Sequence, residues 1–166
     1  NPMIPTLKSL KLYGMAHALS DLAEQDSPAF QASTGILDHL LKAELAEREV
    51  RSVAYQLKTA KFPAYRDLSG FDFASSMANE ALIRQLCGGD FMDTAQNVVF
   101  VGGPGTGKTH LATAISIQAI EHLHRRVRFF STIELVNALE KEKQQGKAGQ
   151  IAALLTHADL VILDEM

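Results

Sequence analysis

The octapeptide GGPGTGKT, Gly102–Thr109, constrains this chain more than any other stretch, because very few backbones can use it. Its pattern is G-x-x-x-x-G-K-[ST], in which glycines permit a tight turn whose N–H groups converge on one point. A helix opening near Gly107 adds its positive end at the same place. Such a turn suits the phosphates of a nucleotide, ATP being the expected one. Gly102, Gly103, Pro104, Gly105, Thr106 and Gly107 are the expected cradle. Lys108 supplies a mobile cation for the β- and γ-phosphates and assists catalysis, and Thr109 is the expected Mg²⁺ ligand. The motif works only between a buried strand and a helix. Its flanks have that character, NVVFV before it and THLATAISIQAIEHL after it.

Strands and helices then alternate. RVRFFS reads as a strand, and Ser131 with Glu134 predicts a capping box at the start of the helix TIELVNALEKEKQQ. QIAALLTHA is a short helix, and LVILDE is a closing strand. That order implies parallel βαβ units buried on both faces, hence an α/β fold of the P-loop NTPase type with helices on both sides of the sheet. The closing strand delivers an acidic pair to the loop. Asp164 is the expected metal carboxylate, and Glu165 is the expected base that activates water. A base for water favours a hydrolase over a small-molecule kinase, which must exclude water.

Residues 1–66 have a different character and are assigned to an N-terminal helical domain, with 67–166 as the ATPase core. Leu12, Met15, Leu19 and Leu22 predict one helix over about Thr6 to Gln25, limited by Gly14 and Pro28, with EQDSPAF as linker. Leu37, Leu40, Leu41, Leu45, Val50, Val53, Ala54 and Leu57 predict a second over about Thr34 to Lys61, stopped by Pro63. Glu44/Arg48 and Glu47/Arg51 support its solvated face. A further short helix is expected over Asn79–Cys87, capped by Ser76.

Charge narrows the partners. The net charge is -3 at pH 7, and residues 1–66 hold eight Lys/Arg against seven Asp/Glu, so bulk charge does not coat nucleic acid. DNA contact would need local clusters summed over several copies. Lys141, Lys143 and Lys147, offset by Glu140 and Glu142, form one cluster; Arg125, Arg126 and Arg128 form another. Lys58, Lys61 and Arg66 lie among Phe62 and Tyr65, read as a solvated helix end with its aromatics inward. The single cysteine, Cys87, suits a reducing compartment and reads as a buried helix-end thiol. With no apolar run long enough to cross a bilayer and no secretory start, the chain reads as cytoplasmic, with no membrane partner.

Together GPGTGKTHLA, VRFF, DLVILDE and, upstream, LKLYGMAHAL, AEREVRS, KFPAYRDLSGFDF and ALIRQL resemble the IstB-like ATPases. These are helpers of a class of insertion-sequence transposases, related to the DnaC-type helicase loaders within the AAA+ superfamily. The resemblance implies an ATP-dependent homo-oligomer on double-stranded DNA that assists a transposase in selecting target DNA; a replicative helicase is the partner in the alternative reading. Residues after the acidic pair that complete such sites have no counterpart here, so the chain reads as the front portion of a larger ATPase, or as a truncated ATP-binding fragment without hydrolysis. The sheet would then leave Val98–Val101 and Leu160–Leu163 facing a gap. His110 is expected to pack a helix rather than catalyse, and His122 and His124 lie on different helix faces. Phe71 or Phe73 is expected either beside the adenine or plugging the core.

Overall fold

The computed structural model describes residues 1–25 and 28–165, which divide into two compact units, Asn1–Ser52 and Val53–Met166. The division falls inside one long helix.

The first unit begins with α1 (Met3–Ser9) and α2 (Tyr13–Glu24), not one helix from Thr6. The break is made by Lys11, whose φ of 60° ends α1, while the Leu12 N–H closes back on the Leu7 carbonyl at 2.9 Å. Gly14, expected to limit the helix, lies inside α2 with open space around it. Helix α3 (Pro28–Ala60) starts six residues before the expected Thr34. Proline at a first helical position gives up no hydrogen bond, so Pro28 opens this helix instead of ending the previous one. Asp26 and Ser27, in the expected linker, lie outside the described residues. Met3, Leu7, Leu10, Ala16, Leu19 and Leu41 form the core, with Leu12, Leu37 and Leu45 packed against it. Met15, Leu22, Leu40 and Val50 were expected on this face and are exposed. Arg48 ties the unit together, donating to the Leu10 carbonyl at 3.0 Å and pairing with Glu44.

In the second unit, α3 ends on Val53, Leu57 and Ala60, which pack with Ala119, Ile120 and Val127. Helix α4 (Glu80–Cys87) is capped by Asn79, whose side chain accepts the Leu82 N–H at 3.1 Å. Ser76 is not the cap; its hydroxyl accepts from Ala78 two residues on, too early to reach the helix. Cys87 ends α4 half-buried, and burial pushes its thiol pKa up. After the short α5 (Asp90–Asp93) comes α6 (Lys108–Glu121), buried on nearly every side through Leu111, Ala114, Ile115, Ile117, Ala119 and Ile120. A helix apolar all round belongs at the centre of its domain. Its polar Ser116 is satisfied by the Ala112 carbonyl at 2.7 Å.

Strand β1 (Val127–Ser131), α7 (Thr132–Gln144), α8 (Gln150–Thr156) and β2 (Leu160–Asp164) form a parallel βαβ unit, with Val127 opposite Leu160 and Ser131 opposite Asp164. The expected capping box does not form, since Ser131 makes no side-chain cap bond while it finishes the strand. Phe62 packs inward, edge-on to Phe129 at 6.1 Å, whereas Tyr65 is exposed and donates its hydroxyl to Glu121 at 3.0 Å.

Asn97–Val101 was expected to be a sheet strand. Among the described residues it makes no backbone–backbone hydrogen bond, and the described sheet has two strands, β1 and β2. A cleft of about 530 Å³ is lined by Val98, Val99 and Phe100 together with Leu160–Glu165, Lys108 and Ile115. The unpaired backbone expected of Val98–Val101 is thus observed among the described residues.

Candidate functional site

The loop from Gly102 to Gly107 is shaped by its own side chains. Thr106 Oγ1 donates to the Gly103 carbonyl at 2.8 Å and sits where a Cβ on Gly102 would fall, 2.9 Å away. Gly107 has φ +91°, and a Cβ there would lie 2.6 Å from Phe71 Cε2. Only glycine fits both the left-handed backbone and that contact. Pro104 and Gly105 form the exposed turn at the tip. Lys108 opens α6, and its Nζ donates to the Gly102 and Gly103 carbonyls at 2.8 and 2.6 Å. The ammonium is thus folded over the mouth of the loop, held by two neutral acceptors that an anion can displace.

Thr109 lies one residue further into α6. Its hydroxyl is 2.9 and 3.1 Å from the two carboxylate oxygens of Asp164, donating between them across 55 residues of sequence. Strand register accounts for the meeting. Asp164 is the last residue of β2, directly opposite Ser131, and Thr132 Oγ1 donates to the Asp164 backbone carbonyl at 3.0 Å. Thr132 is a positioning residue that sequence reasoning missed, because its partner lies 32 residues away and no local pattern announces the bond. Glu165 follows with φ 60°, an uncommon conformation for a non-glycine residue, and lines the cleft together with Lys108 and Asp164. A hydroxyl beside a carboxylate is the hard-oxygen donor set that Mg²⁺ prefers, so the residues present fit that ion.

A second support lies behind the loop. Asp67 folds a turn, its carboxylate accepting from the Ser69 hydroxyl at 2.8 Å and the Gly70 N–H at 3.1 Å. Those two bonds, the Ser69 hydroxyl foremost, hold the Asp67 carboxyl below the usual carboxylate range. His110 Nε2 lies 2.8 Å from the Asp67 carbonyl and its ring meets Phe71 edge-on at 5.2 Å. Phe71 in turn stacks edge-on with Phe73 at 4.8 Å. His110 therefore packs α6 against the 67–73 segment, and both phenylalanines join the core around Ile83, Phe91, Leu111 and Ile115. The D-x-S-G turn signature of Asp67–Gly70 was legible in the sequence but not its role as a prop for the loop. His122 and His124 are exposed at the far end of α6.

A family model described as IstB-like ATP binding protein matches residues 5–166. The inferred ATP-binding protein of insertion sequence IS5376 from Geobacillus stearothermophilus is 35% identical over 158 residues, covering 95% of this chain and 62% of that protein. Its counterpart in insertion sequence IS21 from Pseudomonas aeruginosa is 32% identical over 161 residues, covering 96% and 60% respectively. A third, from insertion sequence IS232 of Bacillus thuringiensis subsp. berliner, is 29% identical over 161 residues, covering 96% and 64%. The chain thus spans less than two thirds of the length of these relatives. Among the described residues no helix is long and apolar enough to cross a membrane.

Proposed function

Because the chain belongs to the IstB-like ATP binding proteins, we propose that it is the nucleotide-binding part of an AAA+ ATPase that assembles on double-stranded DNA and assists a transposase. Gly102–Thr109 holds the phosphates of ATP, Thr109 and Asp164 hold Mg²⁺, and Glu165 takes the proton of the attacking water. Bound Mg²⁺ would screen the phosphate charge. The chain's own residues do the rest: Lys108 leaves its carbonyls for the phosphates, and Thr132 keeps Asp164 in register. As functional parts we keep residues 1–66 as the helical domain and 67–166 as the core, while the compact units themselves divide earlier, between Ser52 and Val53.

The observation that carries this reading is the meeting of Thr109 and Asp164, a hydroxyl and a carboxylate brought within 2.9 Å beside the lysine-bearing loop. Supporting it is the cleft beside the loop, whose lining includes Lys108, Asp164 and Glu165. The insertion-sequence names of the relatives favour a transposase over a helicase as partner.

The test is ATP binding and DNA binding by the full-length protein, with and without Mg²⁺, for the unmodified chain, Lys108→Ala and Asp164→Asn. Lys108→Ala is expected to abolish nucleotide binding and, with it, DNA assembly; Asp164→Asn to remove the Mg²⁺-dependent part of ATP affinity. ATP affinity of Lys108→Ala within about twofold of the unmodified protein, far less than a lost charge-assisted contact costs, would overturn the site.

A further inference from the structure

Two cationic clusters compete for the role of nucleic-acid contact, and their ion pairing separates them. Arg125 is paired with Asp93, and Arg126 forks onto both Asp159 oxygens at 2.9 and 3.1 Å. Arg128, half-buried, donates to its own Val127 carbonyl at 3.0 Å. Two of these three guanidinium charges are therefore answered within the fold.

The turn after α7 differs. In sequence, Glu140 and Glu142 offset two of its three lysines. Glu142, however, is only 8% exposed, and its carboxylate accepts the N–H groups of Gln150 and Ile151 at the start of α8. Its charge is directed at backbone dipoles inside the fold. Three exposed lysines, Lys141, Lys143 and Lys147, then stand against one exposed glutamate, Glu140. None of the three has a carboxylate partner among the described residues. Lys141 and Lys143 sit in the last turn of α7, where the helix dipole favours a cation, whereas Lys147 lies beyond the helix.

The same residue fixes the geometry. The Glu142 carbonyl accepts the Lys147 N–H at 3.1 Å while its carboxylate holds the first turn of α8, so both ends of the connection close on one side chain's residue. Gly146 supplies the left-handed step at φ 66°.

We infer that the α7–α8 turn is a nucleic-acid docking surface, with Lys141, Lys143 and Lys147 contacting backbone phosphates of duplex DNA and Glu142 positioning them. This rests on the proposal that the protein binds DNA. Point charges on flexible stems read phosphate and not base, so the surface is blind to sequence.

The experiment titrates the full-length protein, with ATP, against a labelled duplex of arbitrary sequence over a range of salt. Replacing all three lysines by serine is expected to reduce the log–log salt slope by about 2.7, roughly 0.9 for each lost phosphate contact. Across a fourfold rise in salt, the loss of affinity then shrinks by about 40-fold. Glu142→Ala makes the chain more positive yet is expected to weaken DNA binding, because the turn opens; Glu142→Gln, which keeps an acceptor, is expected to bind nearly normally. ATP binding, measured alongside, should be unchanged in every variant. An unchanged slope in the triple variant, with DNA still bound, overturns the inference, as does tighter binding by Glu142→Ala. If Glu142→Ala fails to fold, the exposed lysines decide alone. Absence of any DNA binding by the unmodified protein is a different result, and it defeats the proposed function itself.

Discussion

Gly107→Ala adds one methyl group and should disable the nucleotide loop. Two costs are readable from the structure. The backbone at this position has φ +91°, where an alanine costs about 1–2 kcal/mol relative to the right-handed region. The added Cβ would also meet Phe71 Cε2 at 2.6 Å and Cζ at 3.2 Å, and overpacking of that kind costs about 1–3 kcal/mol. Either the loop leaves this conformation or the ring moves off its edge contact with His110. If nucleotide binding must restore the conformation, the sum of ~2–5 kcal/mol appears as an affinity loss of about 30-fold to a few thousandfold. Titration with a fluorescent ATP analogue measures it, and a thermal melt checks that the fold persists. Phe71→Ala in the same chain should return the packing part and leave the backbone part. The double-mutant cycle is therefore expected to show a coupling of roughly 1–3 kcal/mol. A coupling near zero would show that Phe71 does not constrain the loop. Full affinity in the single variant would show that the left-handed backbone is not the binding conformation.

Other outcomes follow from single contacts. Glu165→Gln in the full-length protein should bind ATP normally and turn it over about 10²–10⁴ times more slowly, read by phosphate release; unchanged turnover would assign the base elsewhere. Leu7→Ala should destabilise the first unit by about 2–5 kcal/mol, since that side chain is 0% exposed and central to its core, and denaturant unfolding would show it. The pairing of Asp159 with Arg126 gives a signed pH effect: the guanidinium hydrogen bonds hold the Asp159 carboxyl below its ordinary range. A folded value below the unfolded one means that the pair's stabilisation is complete above the ordinary carboxylate range and is lost as pH falls through the depressed value. Asp159→Asn should flatten that acid-side decline of the melting temperature, by an amount that solvent screening keeps below about 1 kcal/mol.

How far the sequence was legible depends on the range of the forces involved. The run GGPGTGKT, an apolar stretch before it and a helix after it are local patterns, and the helix from Lys108 and the closing strand to Asp164 lie where those patterns place them. Boundaries set by competing local bonds were not legible. Nothing in LKSLKLYG announces that Lys11 takes a left-handed conformation and splits one amphipathic run into two helices. Asn79 and Ser76 are equally plausible caps by type, and only the path of the chain decides which oxygen reaches an unpaired N–H. Periodicity also overcounted the buried face of α3, because Leu40 and Val50 match the helical spacing but meet no opposing surface.

By itself, then, the sequence determined the set of residues: a glycine-rich loop, a lysine and a hydroxyl directly after it, and an acidic pair at a strand end, all fixed by residue type and short-range spacing. Tertiary structure alone decided which charges remain available. Glu142 and Lys143 adjoin in sequence, yet one is buried against α8 and the other faces water. It alone set Phe71 on Gly107. The reason is physical: spacing fixes which face of a helix or strand a side chain occupies, but a carboxylate's partner, and a glycine's necessity, depend on what another segment of chain puts within three or four ångströms of it.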